Sequence, residues 1–220
     1  FPFSFSSEFI LLYKYKHFIY YLNVAKIFFR GIVRKIGTFM KIKNFFLEVV
    51  ETIVVSAVVV LFIYYFVASV EVVLGPSMEP NFYSGERILV DRITGKSDSF
   101  KRGDVVVFYP PNDGSKHYIK RIVGIPGDVF KIIDCKIVIS REGKHYVLSE
   151  DYLPEGVCTE AGSQIREGRS IKIGEGQYVL LGDNRDNSFD SRNIGLIDEK
   201  RFVGRVVFIL WPPSRIGFVN

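Results

Sequence analysis

Cysteine is almost missing from this chain: Cys135 and Cys158 are the only two in 220 residues. Their spacing fits no zinc signature, and the three histidines, His17, His117 and His145, are scattered. No metal site is expected, and nothing in the chain asks for a cofactor. Acids are nearly missing from residues 1–47, where Glu8 stands alone against Lys14, Lys16, Lys26, Arg30, Arg34, Lys35, Lys41 and Lys43. Methionine is absent before Met40. Charge is absent from Thr52 to Val70, a run of 19 residues. No repeat or low-complexity segment stands out, which argues against a repeat architecture.

The length leaves room for one ordinary domain plus a membrane anchor. As a helix, Thr52 to Val70 would span about 28 Å, close to the hydrocarbon thickness of a bilayer. It has no polar face at a 3.6-residue period, which weakens the reading of a buried core helix. It is too long for a cleaved secretory signal, and no cleavage-site residues end it. One transmembrane helix at residues 52–70 is therefore expected. Residues 40–51 form a cytoplasmic lead, and residues 71–220 an extracytoplasmic domain, because the basic excess precedes the run. A basic aromatic segment beside an apolar run marks a cytoplasmic flank. It carries no recognised nucleic-acid motif, so nucleic acid is not expected as a partner. Met40-Lys41-Ile42-Lys43 looks like a natural start. Residues 1–39 read as an upstream reading-frame extension, with a genuine basic amphipathic helix as the alternative.

Beyond Arg87 the chain breaks into short β-rich runs: Arg87–Val90, Val105–Phe108, Tyr118–Val123, Val129–Ile133, Lys136–Ile139, His145–Leu148, Gln177–Leu181 and Phe202–Leu210. Turn chemistry separates them, as in Pro110-Pro111-Asn112-Asp113-Gly114 and Pro126-Gly127-Asp128. Strands this close, with no helical pattern between them, predict an all-β, mostly antiparallel domain. Residues 134–176 hold no catalytic-looking cluster and read as a small β insertion subdomain. Both cysteines fall on the expected outer side, where a disulfide is permitted; a bridge and two free thiols both remain open.

Three polar stretches carry chemistry. Gly75-Pro76-Ser77-Met78-Glu79-Pro80 presents a serine among turn-forming residues just past the apolar run. Tyr118-Ile119-Lys120-Arg121 supplies a lysine flanked by Ile119 and Ile122. The third, Gly182-Asp183-Asn184-Arg185-Asp186-Asn187-Ser188-Phe189-Asp190-Ser191-Arg192, is a dense polar block. A serine hydroxyl is a poor nucleophile until a base takes its proton. Lysine can serve only when neutral, which needs burial or a like charge to lower its pKa from near 10.4. Arg121 beside Lys120 supplies such a charge.

In this order, beside the apolar run, the three stretches resemble bacterial type I signal peptidase, a membrane-bound Ser/Lys protease family that removes signal peptides from exported preproteins. The resemblance covers roughly Met40 to Pro212. It implies that Ser77 is the acylating nucleophile and Lys120 the general base. It also implies that the Ser188 hydroxyl orients the lysine amine, that Asp190 and Arg192 form a structural ion pair, and that Asp183 pairs with Arg121. Met78, Val107, Tyr118 and Ile119 match positions lining shallow pockets for small side chains. Val72 and Val73 are candidates for binding an extended substrate strand. Preproteins with small residues at the cleavage site and a lipid bilayer are the implied partners. Two departures stand out. Gly75 occupies a position where some members have an oxyanion-hole serine, and Pro80-Asn81 replaces a Pro-Thr pair.

Related chemistries fit less well. Self-cleaving repressors share the Ser/Lys pair but carry a DNA-binding domain where this chain has an apolar run. Penicillin-recognising enzymes need lysine three residues after the serine, where Pro80 stands. Eukaryotic and archaeal relatives place histidine at the position of Lys120, and His117 lies three residues earlier. The non-enzymatic alternative is an inactive membrane-tethered binding or assembly protein of the same fold.

Overall fold

A computed structural model describes residues 43–62, 67–93, 100–111 and 113–219. The readings for residues 1–39 lie outside these. Helix α1 (Lys43–Phe62) carries exposed apolar side chains along much of its length, among them Ile53, Val54, Val58, Val60 and Leu61. Within it the Thr52 hydroxyl donates to the Glu48 carbonyl at 2.7 Å.

The single helix expected at residues 52–70 is corrected by the structure. Helix is described to Phe62, residues 63–66 lie outside the described residues, and Ala68–Val70 belong to strand β1 (Ala68–Val72). Among the described residues no helix is long and apolar enough to cross a membrane. Valine-rich sequence suits a pleated sheet as well as an apolar helix, so hydropathy alone cannot mark the changeover. Register decides it: Ala68 to Val72 pair antiparallel with Asp91 to Arg87 of β2 (Arg87–Asp91), which satisfies the backbone there.

The main sheet adds β3 (Val105–Phe108), β4 (Tyr118–Gly124), β9 (Gln177–Leu181), β10 (Ile197–Asp198), β11 (Phe202–Trp211) and β12 (Gly217–Phe218). Its order is β1-β2-β11-β3-β4-β9-β10, with β12 on β11. A four-stranded sheet, ordered β7-β6-β5-β8, is built from β5 (Val129–Ile133), β6 (Lys136–Arg141), β7 (Lys144–Val147) and β8 (Ile171–Lys172). Every described strand pairing is antiparallel, as the sequence predicts. The small sheet includes Val129–Ile133, which precedes the 134–176 stretch marked out by sequence.

The central strands are buried on both faces, which is why they read as continuous apolar runs rather than alternating ones. Val105, Val107 and Ile119 pack with Val73, Met78, Phe82 and Ile88, whereas Val106, Phe108 and Ile122 pack with Phe100, Tyr178 and Leu180. A third cluster joins Phe130, Ile132, Ile137 and Ile139 of the small sheet to Val123, Val179 and Leu181 of the main one. Asp128, fully buried, ties the same junction by accepting from Arg102 at 2.7 Å and Arg141 at 3.2 Å. Cys135 and Cys158 form a disulfide, so the question left open by their spacing is answered by proximity.

Candidate active site

Ser77 lies in the loop between β1 and β2. The loop is closed at its base by Val73 N–H to Glu86 O at 2.9 Å and Gly85 N–H to Val73 O at 2.8 Å. Inside it Glu79 N–H bonds Pro76 O at 3.0 Å, and Phe82 N–H bonds Met78 O at 2.9 Å. Burial of Met78 and Phe82 anchors this knot in the core and leaves Ser77 partly exposed. Gly75, at φ +85°, makes the left-handed turn that leads into it.

Lys120 comes from β4, between β3 and β9 in the sheet. Its Nζ lies 2.7 Å from Ser77 Oγ and donates to the Ile119 carbonyl at 2.9 Å. The residue is only 4% exposed. Burial pulls its pKa down to about 8, against the opposing pull of Asp190 and Asp183. A neutral amine is thus accessible near physiological pH, beside a serine hydroxyl that can donate to it.

The polar block forms a platform beneath the pair. Arg121 makes a bidentate contact with Asp183, Nε to Oδ1 at 2.9 Å and one terminal nitrogen to Oδ2 at 2.7 Å, and both residues are buried. Arg192 grips Asp190 in the same way, both bonds at 2.9 Å. Asp190 also caps the short helix α2 (Ser191–Ile194) and accepts from Gly182 N–H at 3.0 Å. The loop itself is pinned by Asn184, whose N–H donates to Ser77 O at 3.1 Å and whose side chain donates to Pro76 O at 3.1 Å. Gly182 must lack a side chain: a Cβ there would stand 2.2 Å from Ser188 Oγ and 2.4 Å from Ser77 O.

Ser188 Oγ is buried against Gly182 but has no hydrogen-bond partner among the described residues. The amine it was expected to orient is held by the Ile119 carbonyl instead. Asn81 bridges Asp183 Oδ2 and the Tyr152 carbonyl, both at 2.8 Å, so its amide makes bonds to two separate segments.

Several supporting residues escape sequence reasoning. Arg185 is buried and paired with Glu150 at 2.5 Å, and it also donates to the Thr159 hydroxyl. Tyr152 stacks on the Arg121 guanidinium at 4.2 Å and donates its hydroxyl to Glu150 at 2.5 Å. Burial drives the Tyr152 phenol well above its usual pKa, which keeps that proton in place. These partners come from residues 150–159, whose local sequence shows no cluster.

An apolar groove of about 510 Å³ ends at the pair. Val72, Val73 and Leu74 line it with Ile88, Val107, Tyr118, Ile119 and the rim residue Phe189. Val107, Tyr118 and Ile119, which the resemblance places at pockets for small side chains, are among these lining residues. Met78 differs: it is fully buried among Phe82 and Ile88 and does not line the groove.

Residues 46–211 match the family model of signal peptidase, peptidase S26. The chain is 36% identical to a signal peptidase I of Bacillus licheniformis, covering 79% of this chain and 93% of that protein. It is 31% identical to a probable signal peptidase I-2 of Synechocystis, covering 81% and 79% respectively. A crystal structure of a signal peptidase I from Enterococcus faecalis V583 superposes with a TM-score of 0.40 at 26% identity, covering 49% of this chain and 97% of that one. The chain therefore belongs to the peptidase S26 family and is a signal peptidase, a serine protease.

Proposed function

We propose that this protein removes signal peptides from exported preproteins at a membrane surface, through an acyl-enzyme formed by Ser77 with Lys120 as general base. The observation that carries this is the 2.7 Å approach of a buried, pKa-lowered lysine amine to the Ser77 hydroxyl. Neutral Nζ takes the Ser77 proton as Oγ attacks the scissile carbonyl carbon. The Ser77 backbone N–H holds the developing oxyanion. The lysine then hands its proton to the departing amine, leaving an ester on Ser77. Water, deprotonated by the same amine, attacks that ester and releases the signal peptide. Asp183–Arg121 and Asp190–Arg192 hold the platform beneath these groups, and the Ile119 carbonyl holds the amine.

The groove suits an extended peptide. Among the described residues β1 is the edge strand of its sheet, so an added strand can pair with its outer side. The apolar walls around Val72, Val107 and Ile119 admit small side chains beside Ser77. Membrane association is supported by the exposed apolar side chains of α1, whose cover lipid would supply. In this reading the N-terminus is cytoplasmic and the peptidase domain extracytoplasmic.

Incubation with a preprotein, followed by N-terminal sequencing of the product, tests the reading. A single new terminus after a small residue is expected from the wild type, and none from Ser77→Ala or Lys120→Ala. Full processing by either variant would refute the dyad.

A further inference from the structure

Neighbours of both dyad residues meet at one buried carboxylate. Asp183 Oδ2 accepts from Arg121, which follows Lys120 on β4, at 2.7 Å. The same oxygen accepts at 2.8 Å from Asn81 Nδ2, at the far end of the turn that starts with Ser77. The Asn81 amide also donates to the Tyr152 carbonyl at 2.8 Å. A threonine hydroxyl, with its single proton, cannot make both bonds, so the Pro80-Asn81 departure from the family's Pro-Thr pair adds one.

The start of the turn is held to the polar block by Asn184, which donates to Ser77 O and Pro76 O, both at 3.1 Å. A turn tied to that block only at its start can pivot there and swing the Ser77 hydroxyl away from Lys120 Nζ. A second bond to the same block at Asn81 removes the pivot. The Asn81 main chain is anchored separately: Arg215 donates to its carbonyl at 2.7 Å, and Met78 and Phe82, before and after it, are buried. Loss of the side-chain amide therefore leaves the turn in place and frees its tilt. Asn81 is not among the residues lining the groove, so peptide binding does not depend on it.

Resting on the peptidase reading, we propose that Asn81 is a positioning residue, tying the turn that carries Ser77 to the strand that carries Lys120 through their common partner Asp183. It touches neither substrate nor the reacting atoms. Its effect is on the distance and angle between hydroxyl and amine, to which proton transfer is sensitive.

The test uses the full chain and a peptide with small residues at the cleavage site. In Asn81→Ala the kcat on the alkaline plateau should fall about tenfold, the size of one lost bond to a charged group, with KM unchanged. The inflection of kcat/KM against pH should stay at about 8, because Lys120 remains buried. A merely structural role would let water reach Lys120 and move that inflection toward the ordinary 10.5. Wild-type kcat in Asn81→Ala, a loss carried by KM, or a raised inflection overturns the inference and leaves the peptidase reading intact, since the wild type still cleaves. Should Asn81→Ala fold poorly, Asn81→Asp keeps the shape and sets a carboxylate against Asp183. Its plateau kcat should fall at least about tenfold with KM unchanged, and wild-type kcat there overturns the inference. A wild type that cleaves no such peptide overturns both readings.

Discussion

Raising the pH from 7 to 9 should speed peptide hydrolysis about tenfold, and the reason is a single buried amine. At its ordinary pKa of 10.5 Lys120 would be neutral in about 0.03% of molecules at pH 7. With the pKa pulled to about 8 the neutral share becomes about 9% at pH 7 and about 91% at pH 9. Burial thus multiplies the active form about 300-fold at neutral pH, equivalent to about 3 kcal/mol. The same energy is charged to folding. Below pH 8 the lysine is protonated in both states, and the folded state carries the whole penalty. Between the folded pKa near 8 and the unfolded one near 10.5 the unfolded chain binds more protons, so stability rises with pH across that window. Lys120→Met should therefore be inactive yet more stable than wild type at pH 7, by about 3 kcal/mol, with the gap closing toward pH 10.5. The assays are kcat/KM against pH for wild type and His117→Ala, and urea unfolding of Lys120→Met. A flat profile between pH 7 and 9, or an inflection that vanishes in His117→Ala, would refute the lysine argument.

Further expectations concern the support. Asp183→Asn strands the buried Arg121 guanidinium and should cost about 3–5 kcal/mol in chemical denaturation; a change below about 1 kcal/mol would contradict the bidentate pair. Gly182→Ala drives a methyl into Ser77 O and Ser188 Oγ, so kcat should fall with little change in KM, and a fully active variant would show that the contact is not tight. Cys158→Ser opens a loop of 23 residues and should lower stability by about 3 kcal/mol, read as a shift in denaturation midpoint.

The strands of the main sheet were legible because their apolar runs end at turn residues. Val105–Phe108 and Gln177–Leu181 run between the residues that sequence marked. β1 was not legible: its Val-rich stretch continues an apolar run, and only pairing with β2 distinguishes strand from helix. The two-residue strands β8, β10 and β12 are too short for any period to register. Ser77 and Lys120 were visible as motif residues, though only the fold sets them 2.7 Å apart. Met78 misled because its place in the motif says nothing about which way the turn buries it. Glu150, Tyr152 and Thr159 were invisible because their partners are distant in the chain, Arg185 lying 35 positions beyond Glu150.

The strap at residues 150–159 also bears on how such a protein can be recombined. The disulfide fastens it to the small sheet, yet its polar side chains complete the platform of the main one. The exchangeable module is consequently discontinuous: residues 150–159 and 183–192 must travel together. A chimaera that takes the strap from a relative lacking Glu150 would inherit a buried, uncompensated Arg185 beneath an otherwise intact dyad. Breakpoints placed by strand boundaries alone would cut through that dependence.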